Sequence, residues 1–491
     1  MRRRLAYLLA LACMFCSIPA MAAEGAMRTT VLIYMSGSDL ESVDGSATAD
    51  IQEMLRANVP ADGSLTVLVQ TGGAKQWQLD GHPEKKNCLY RISGNSCQLL
   101  EATRRRSMGE PDSLSAFLEY GRKNYPADRY VLVLWGHGDG PTGGVCFDEL
   151  FNDDSLMLDE IAFALEGASQ TGQNIEALIF DACMMNCADL LFSLGECADY
   201  IVASQESTLG SGGRYDLWLS ALTQNPEMDA LEICTRFAGD YVSTGSHGLF
   251  SRTTTSSVLD CGASGALQEA VEALYAALNL RFDDSAGEIC AAVADLVSFG
   301  ELDGAPPSGM MDALQLCDAL EAFAPEECAQ LRSAVNQAVR FHADSGALEG
   351  ATCGLSLFLP CAEQDWFDAL YDWYLPQMGD SNYARLIVRM ADAQQESKGA
   401  SILSYLRSAF SGNDESDAPV VDIQHIWQGL EPSSNPAVDS PNTVHSDAPA
   451  VDVQHIWQGL ESSSNPAPDT TRSDAPAVDI QHIWQGLEPA A

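Results

Sequence analysis

The run YVLVLWGHGDG at residues 130–140 and the run IEALIFDACMMN at residues 175–186 decide the fold. Each is an apolar stretch of buried-strand length that stops abruptly, the first at His137 between two glycines, the second at Asp181-Ala182-Cys183. Between them the spacing of apolar residues predicts a helix from Ser155 to Gly167. Strand, crossover helix and strand form a βαβ unit, whose strands are parallel. Ligands bind outside the carboxyl ends of strands in such sheets. His137 and Cys183 are therefore expected side by side at one sheet edge, an imidazole next to a thiol.

Working outward, Thr29 to Met35 reads as a first buried strand, ending in the polar turn Ser36-Gly37-Ser38-Asp39. A helix with Ile51, Met54 and Leu55 on one face follows. Leu65 to Gln70 is a second strand, and Asp112 is placed to N-cap a helix through Leu114, Phe117 and Tyr120. Beyond Cys183, the spacing of Met184, Cys187, Leu190, Leu191 and Leu194 predicts a helix starting directly after the thiol. Its N-terminal amides would favour a thiolate. Further strands are expected at Tyr200 to Ser204, Thr253 to Leu259 and Thr352 to Pro360, with a helix from Ser264 to Leu280 and an aromatic segment around Trp366, Tyr371, Trp373 and Tyr374. Strands alternating with helices give an α/β class with a mainly parallel sheet flanked by helices, followed by a C-terminal helical and strand extension.

The chain has 491 residues and a formal net charge of −43. That balance argues against nucleic acid or an anionic membrane as partner. Arg2-Arg3-Arg4, the apolar run Leu5 to Cys16 and Ala20-Met21-Ala22 form a secretory leader over residues 1–23, too short in its apolar part for a transmembrane span. Two of the 15 cysteines, Cys13 and Cys16, leave with it, and the remainder is odd in number. With Cys183 free, the others are expected to pair in an exported protein, Cys88 with Cys97 first among them. The globular part is expected over residues 24–410. From residue 411 the chain becomes a disordered acidic tail in composition, with blocks at 416–431, 446–461 and 473–488 that share an IQHIWQGLE-type core. Ile423, Ile426, Trp427 and Leu430 mark one face of a short helix, which suits a protein partner bound through repeated linear motifs. A passive spacer is the other reading.

Outside the tail the histidines are His82, His137, His247 and His342. A strand-capping His137 or a core Cys183 would each be unremarkable alone; the combination points to nucleophilic catalysis. Residues 134–138 (LWGHG) and 180–185 (FDACMM) resemble the two active-site motifs of the clostripain family of cysteine peptidases, which has a caspase-like α/β fold. The resemblance continues at residues 31–35, 200–206, 215–216 and 354–360, and covers roughly residues 28 to 395. It implies a secreted endopeptidase with Cys183 as nucleophile and His137 handling protons, acting on protein or peptide substrates. Backbone amides of Gly138 and Cys183 would receive the oxyanion. It also implies cleavage after Arg or Lys, with Asp181 as a pocket acid. The family's second pocket aspartate corresponds to Ser211 here, so Glu206 or Asp216 would have to compensate. No third catalytic acid is evident. Relatives are often processed at a basic residue between the motifs, but no Lys or Arg lies from Gly138 to Ala182, so the expectation is a chain that stays single or is processed elsewhere, as near Arg252 or Arg281. The resemblance requires no cofactor. Calcium, which some relatives need, has candidate ligands in Asp148-Glu149 and Asp153-Asp154. The rival reading is an inactive or secondarily active binding or scaffold protein working through its tail.

Overall fold

The computed structural model describes residues 27–169, 175–245, 254–294, 296, 298–300, 308–345, 352–359 and 379–395. The leader, the repeat tail, Arg252, His247 and the aromatic segment around Trp366 lie outside the described residues. The strands are β1 (Thr29–Ser36), β2 (Leu65–Gly72), β3 (Lys86–Ser93), β4 (Ser96–Arg104), β5 (Arg129–Trp135), β6 (Val145–Asp148), β7 (Asp154–Leu156), β8 (Ile175–Asp181), β9 (Ala198–Ala203), β10 (Thr255–Asp260), β11 (Met310–Asp312), β12 (Val339–Asp344) and β13 (Ser356–Phe358). Nine of them form one sheet in the order β12-β10-β9-β8-β5-β1-β2-β3-β4.

The five central strands, β9 to β2 in that order, run parallel. Both flanks are antiparallel, with β3 and β4 on one side and β10 and β12 on the other. The expectation of a mainly parallel sheet therefore describes the centre only. The central strands are apolar at successive positions because both their faces are covered. Leu32, Leu132 and Phe180 point into one core, against the helices Pro111–Asn124, Leu158–Ser169 and Ser264–Ala294. Val31, Val133 and Ile179 point into the other, against Ser46–Arg56, Tyr215–Gln224 and Ala230–Gly245.

Several local expectations shift. The crossover helix begins at Leu158, because Ser155 and Leu156 belong to β7 and pair with β6 in a small hairpin. Asp112 sits inside the first turn of its helix, which Pro111 opens, and Glu110 stands at the N-cap position without a side-chain capping bond. β13 is short and joins β11 instead of the main sheet. Cys88 and Cys97 remain free thiols, as do the other described cysteines. The hairpin register explains the first pair: Cys88 lies opposite Ala102, and Cys97 opposite Ile92. Among the described residues no helix is long and apolar enough to cross a membrane.

Candidate active site

The strands β8, β5 and β1 are neighbours, and all three leave the sheet at the same edge. Trp135 lies opposite Asp181 across β5 and β8, and opposite Met35 across β5 and β1. The next residues of each strand consequently emerge beside one another. β8 delivers Cys183, β5 delivers His137, and β1 runs through Gly37 into the short helix Ser38–Ser42, which carries Asp39.

His137 Nε2 and Asp39 Oδ1 are 2.6 Å apart, a short charge-assisted contact. About a fifth of each side chain is exposed. Burial pushes the imidazole toward its neutral form, but the Asp39 charge and hydrogen bond outweigh it and hold the His137 pKa above its ordinary value. For Asp39, burial acts upward, and the His137 charge and hydrogen bond overcome it, leaving the carboxyl below its usual range. The two shifts agree in describing one ion pair. With Nε2 given to Asp39, Nδ1 is the ring nitrogen left for proton transfer. Phe147 packs edge-on against the ring at 6.3 Å between centroids. Asp39 is the candidate site residue that sequence reasoning did not find: it stood in an ordinary polar turn.

Cys183 is buried, and its sulfur is held by Thr208: the Thr208 amide donates to it at 3.2 Å, and the Thr208 hydroxyl shares a hydrogen bond with it at 3.3 Å. Burial pushes the thiol up, and the Thr208 hydroxyl and amide oppose this. The expected helix at its carboxyl side begins only at Ala188, with Cys183 in the preceding turn, so helix amides do not act on the sulfur. Thr208 takes that place. The chain turns at Met184, whose backbone is left-handed (φ 53°) and whose amide donates to Glu206 O at 3.3 Å.

Gly138 faces this turn. A Cβ there would lie 2.5 Å from Cys183 O and 3.1 Å from Cys183 N, so no larger residue fits without displacing the Cys183 backbone. Gly138 bridges Val145 at a position where the flanking bonds, Cys146 N to His137 O and Asp139 N to Gly144 O, carry the ladder. The Gly138 and Cys183 amides are thereby left without a backbone acceptor among the described residues.

Behind the thiol, Asp181 is 6% exposed and its Oδ2 accepts from Gly213 N at 3.0 Å and from Tyr215 Oη at 2.9 Å. Ser211 is exposed, while Gly212 and Gly213 cover the carboxylate. Glu206 is half-buried, and its Oε1 accepts from Gly300 N at 3.0 Å and Ser207 N at 2.8 Å. Asp216 is engaged twice by Arg214, at 3.0 Å each. The charge of Asp216 is thus met by Arg214, whereas Glu206 is held by backbone amides. Another buried acid is present instead: Asp50, on the helix Ser46–Arg56, whose Oδ2 accepts from Trp135 Nε1 at 2.7 Å.

Three of the four acids named as calcium candidates already hold protein partners. Asp148 accepts from the Met108 and Leu150 amides, Asp154 from Ser107, and Glu149 pairs with Lys75. No group of three or more potential metal ligands occurs among the described residues.

The family profile described as "Clostripain family" matches residues 33–398, about three-quarters of the chain. The chain belongs to the clostripain family. Clostripain from Hathewaya histolytica is 26% identical over 222 residues, spanning 38% of this chain and 41% of that protein. The chain thus covers about two-fifths of that curated relative's length. Among solved structures, a secreted C11 cysteine protease from Bacteroides thetaiotaomicron in complex with an irreversible peptide inhibitor is 17% identical, with a TM-score of 0.54, covering 71% of this chain and 97% of its own. An inactive zymogen C11 protease from Parabacteroides distasonis is 20% identical, with a TM-score of 0.54 over 74% of this chain and 99% of its own. These likenesses establish the family's caspase-like fold for the described domain.

Proposed function

We propose that the chain is a secreted cysteine endopeptidase that cleaves after Arg or Lys. One observation carries this reading: three adjacent parallel strands present Cys183, His137 and Asp39 in a row, with two uncommitted amides beside the thiol. The Cys183 sulfur, as thiolate, attacks the scissile carbonyl carbon. The C–S bond forms as the carbonyl π pair moves onto oxygen, and the Gly138 and Cys183 amides receive that oxyanion. Protonated His137 gives its Nδ1 proton to the leaving amine as the C–N bond breaks. It then takes a proton from water, which attacks the acyl-enzyme and releases the thiolate.

Asp39 holds the imidazole in the tautomer and orientation this sequence needs. In the resting chain the sulfur bonds Thr208 and makes no hydrogen bond to His137, which is compatible with a site that tightens on substrate. Asp181 receives the basic P1 side chain, since a buried carboxylate favours a cation over a neutral group. Secretion rests on the leader and on the similarity to a protein described as secreted. Arg281 is a poor processing site, because it lies inside the helix Ser264–Ala294 and donates to Ala277 O.

The test is hydrolysis of fluorogenic peptides with Arg, Lys or norleucine at P1 by the mature chain and its Cys183→Ala variant. Loss of turnover in the variant, with Arg and Lys favoured by the parent, supports the reading. Equal turnover by parent and variant would sink it.

A further inference from the structure

The pocket expected from the resemblance lacks one charge, because Ser211 stands where the family has an aspartate and is turned outward. The structure contains a second buried carboxylate at the same place. A Cβ added to Gly212 would sit 2.7 Å from Asp50 Oδ2 and 3.2 Å from Asp181 Oδ2. The two oxygens thus lie under one bare glycine, no further apart than the sum of those lengths. Asp50 is 2% exposed and Asp181 6%.

Two like charges buried together require a cation, a shared proton or donors. Donors reach only one oxygen of each: Trp135 Nε1 on Asp50 Oδ2, and Gly213 N with Tyr215 Oη on Asp181 Oδ2. Oδ1 of each carboxylate takes no hydrogen bond among the described residues. Nor does an Arg or Lys pair with either acid there; nearby Arg214 is spent on Glu53 and Asp216. Burial and the Asp181 charge both push the Asp50 carboxyl up, and Glu53 and Glu41 add to this. Burial likewise raises Asp181, against the Gly213 and Tyr215 hydrogen bonds. Two charges buried this way are poorly held by the protein groups around them, and a cation is the group that satisfies them.

We infer that Asp50 is the second acidic determinant of the P1 pocket, pairing with Asp181 to receive a guanidinium or ammonium group. The charge missing from the loop at Ser211 is supplied from the helix Ser46–Arg56. This inference rests on the basic-P1 reading given above, and its experiment separates the two. Asp50→Asn keeps the volume and an acceptor for Trp135, and it removes one of two repelling charges. Parent, Asp50→Asn and Asp181→Asn are assayed on matched peptides with Arg or norleucine at P1, together with inhibition by agmatine, a small guanidinium probe.

The expected result is that Asp50→Asn loses about ten- to hundredfold in kcat/KM for the Arg peptide, as for one charged hydrogen-bond partner, and weakens agmatine similarly. Its kcat/KM for the norleucine peptide stays within a fewfold of the parent. A parent that shows no preference for Arg refutes the basic-P1 reading and this inference with it. A parent that prefers Arg, with Asp181→Asn losing the preference and Asp50→Asn keeping it, overturns the role of Asp50 alone. Equal loss on both peptides in Asp50→Asn also overturns it, since Asp50 would then serve the fold or the nucleophile.

Discussion

Removing the carboxylate at Asp39 tests the reading of the reaction most directly. Its Oδ1 lies 2.6 Å from His137 Nε2, and only about a fifth of either side chain is exposed. A charge-assisted hydrogen bond of that kind contributes about 1.5–3 kcal/mol. If that contribution is realised while the imidazolium forms and donates, Asp39→Ala lowers kcat by roughly ten- to a hundredfold. KM should change little, because Asp39 binds the imidazole and not the peptide. Asp39→Asn keeps an acceptor without the charge and should fall between the two.

The pH profile adds a readout that misfolding would not imitate. Asp39 holds the His137 pKa up, so its removal should move the basic limb of kcat to lower pH. Stability obeys the same linkage. The raised His137 stabilises the fold fully below its unfolded pKa and ceases to do so as pH rises through the folded value. The lowered Asp39 stabilises above its unfolded pKa and ceases to do so as pH falls through its folded value. The pair thus strengthens the fold between those limits, and denaturant melts of Asp39→Ala should differ most from the parent there. Kinetics on an Arg peptide across pH make the decisive assay. An Asp39→Ala enzyme within threefold of the parent, with an unmoved basic limb, would refute the assigned role.

Other perturbations have defined outcomes. Gly138→Ala places a methyl group 2.5 Å from Cys183 O, so turnover should fall by about a hundredfold or more as the oxyanion donors are displaced, and the melting temperature should fall as well, because the buried Cys183 backbone has to move to admit the methyl. Arg129 is buried and donates to Thr29 Oγ1 at 2.7 Å, Pro226 O at 2.9 Å and Met228 O. Arg129→Met should cost about 2–4 kcal/mol in denaturant unfolding, since buried acceptors lose a charged donor. Salt separates two sources of preference for basic peptides. The field of a chain at −43 is screened over about 8 Å at physiological ionic strength, whereas the buried pocket acids are screened far less. Raising salt should reduce kcat/KM for polybasic peptides while the Arg-over-norleucine ratio at P1 survives.

The residues that were legible in the sequence are those whose local pattern and site coincide. The runs at 130–135 and 175–181 are continuous and apolar because both sheet faces are covered, and Gly136 and Ala182 mark where they stop. That was enough to place His137 and Cys183 together. Asp39 was illegible because its importance comes from β1 lying next to β5, a matter of strand order that local pattern does not encode. Asp50 was hidden for a related reason: one acid on an amphipathic helix in an acidic chain looks solvated until Trp135 and Asp181 are packed against it. The Cys88–Cys97 pairing failed on register, which short spacing alone does not determine.

That same issue of register explains why the thiol and the acids behind it come as a unit. Trp135 and Asp181 are directly paired across β5 and β8, so their side chains project from the same sheet face. On that face Trp135 donates to Asp50, while Asp181 accepts from Tyr215 and Gly213. Two residues further along each strand come His137 and Cys183, already past the sheet edge. One parallel pairing therefore sets both the spacing of the thiol and imidazole and the depth of the acids behind them. A slip by one residue would turn Asp181 toward the opposite core and separate the sulfur from the Gly138 amide at once. In the proposed reaction, selection of substrate and attack on it would in this sense be two consequences of a single strand pairing. The helix Ser46–Arg56 is tied to the same pairing through the bond from Trp135 to Asp50, so in the proposed pocket the second acid would keep its depth whatever residue stands at 211.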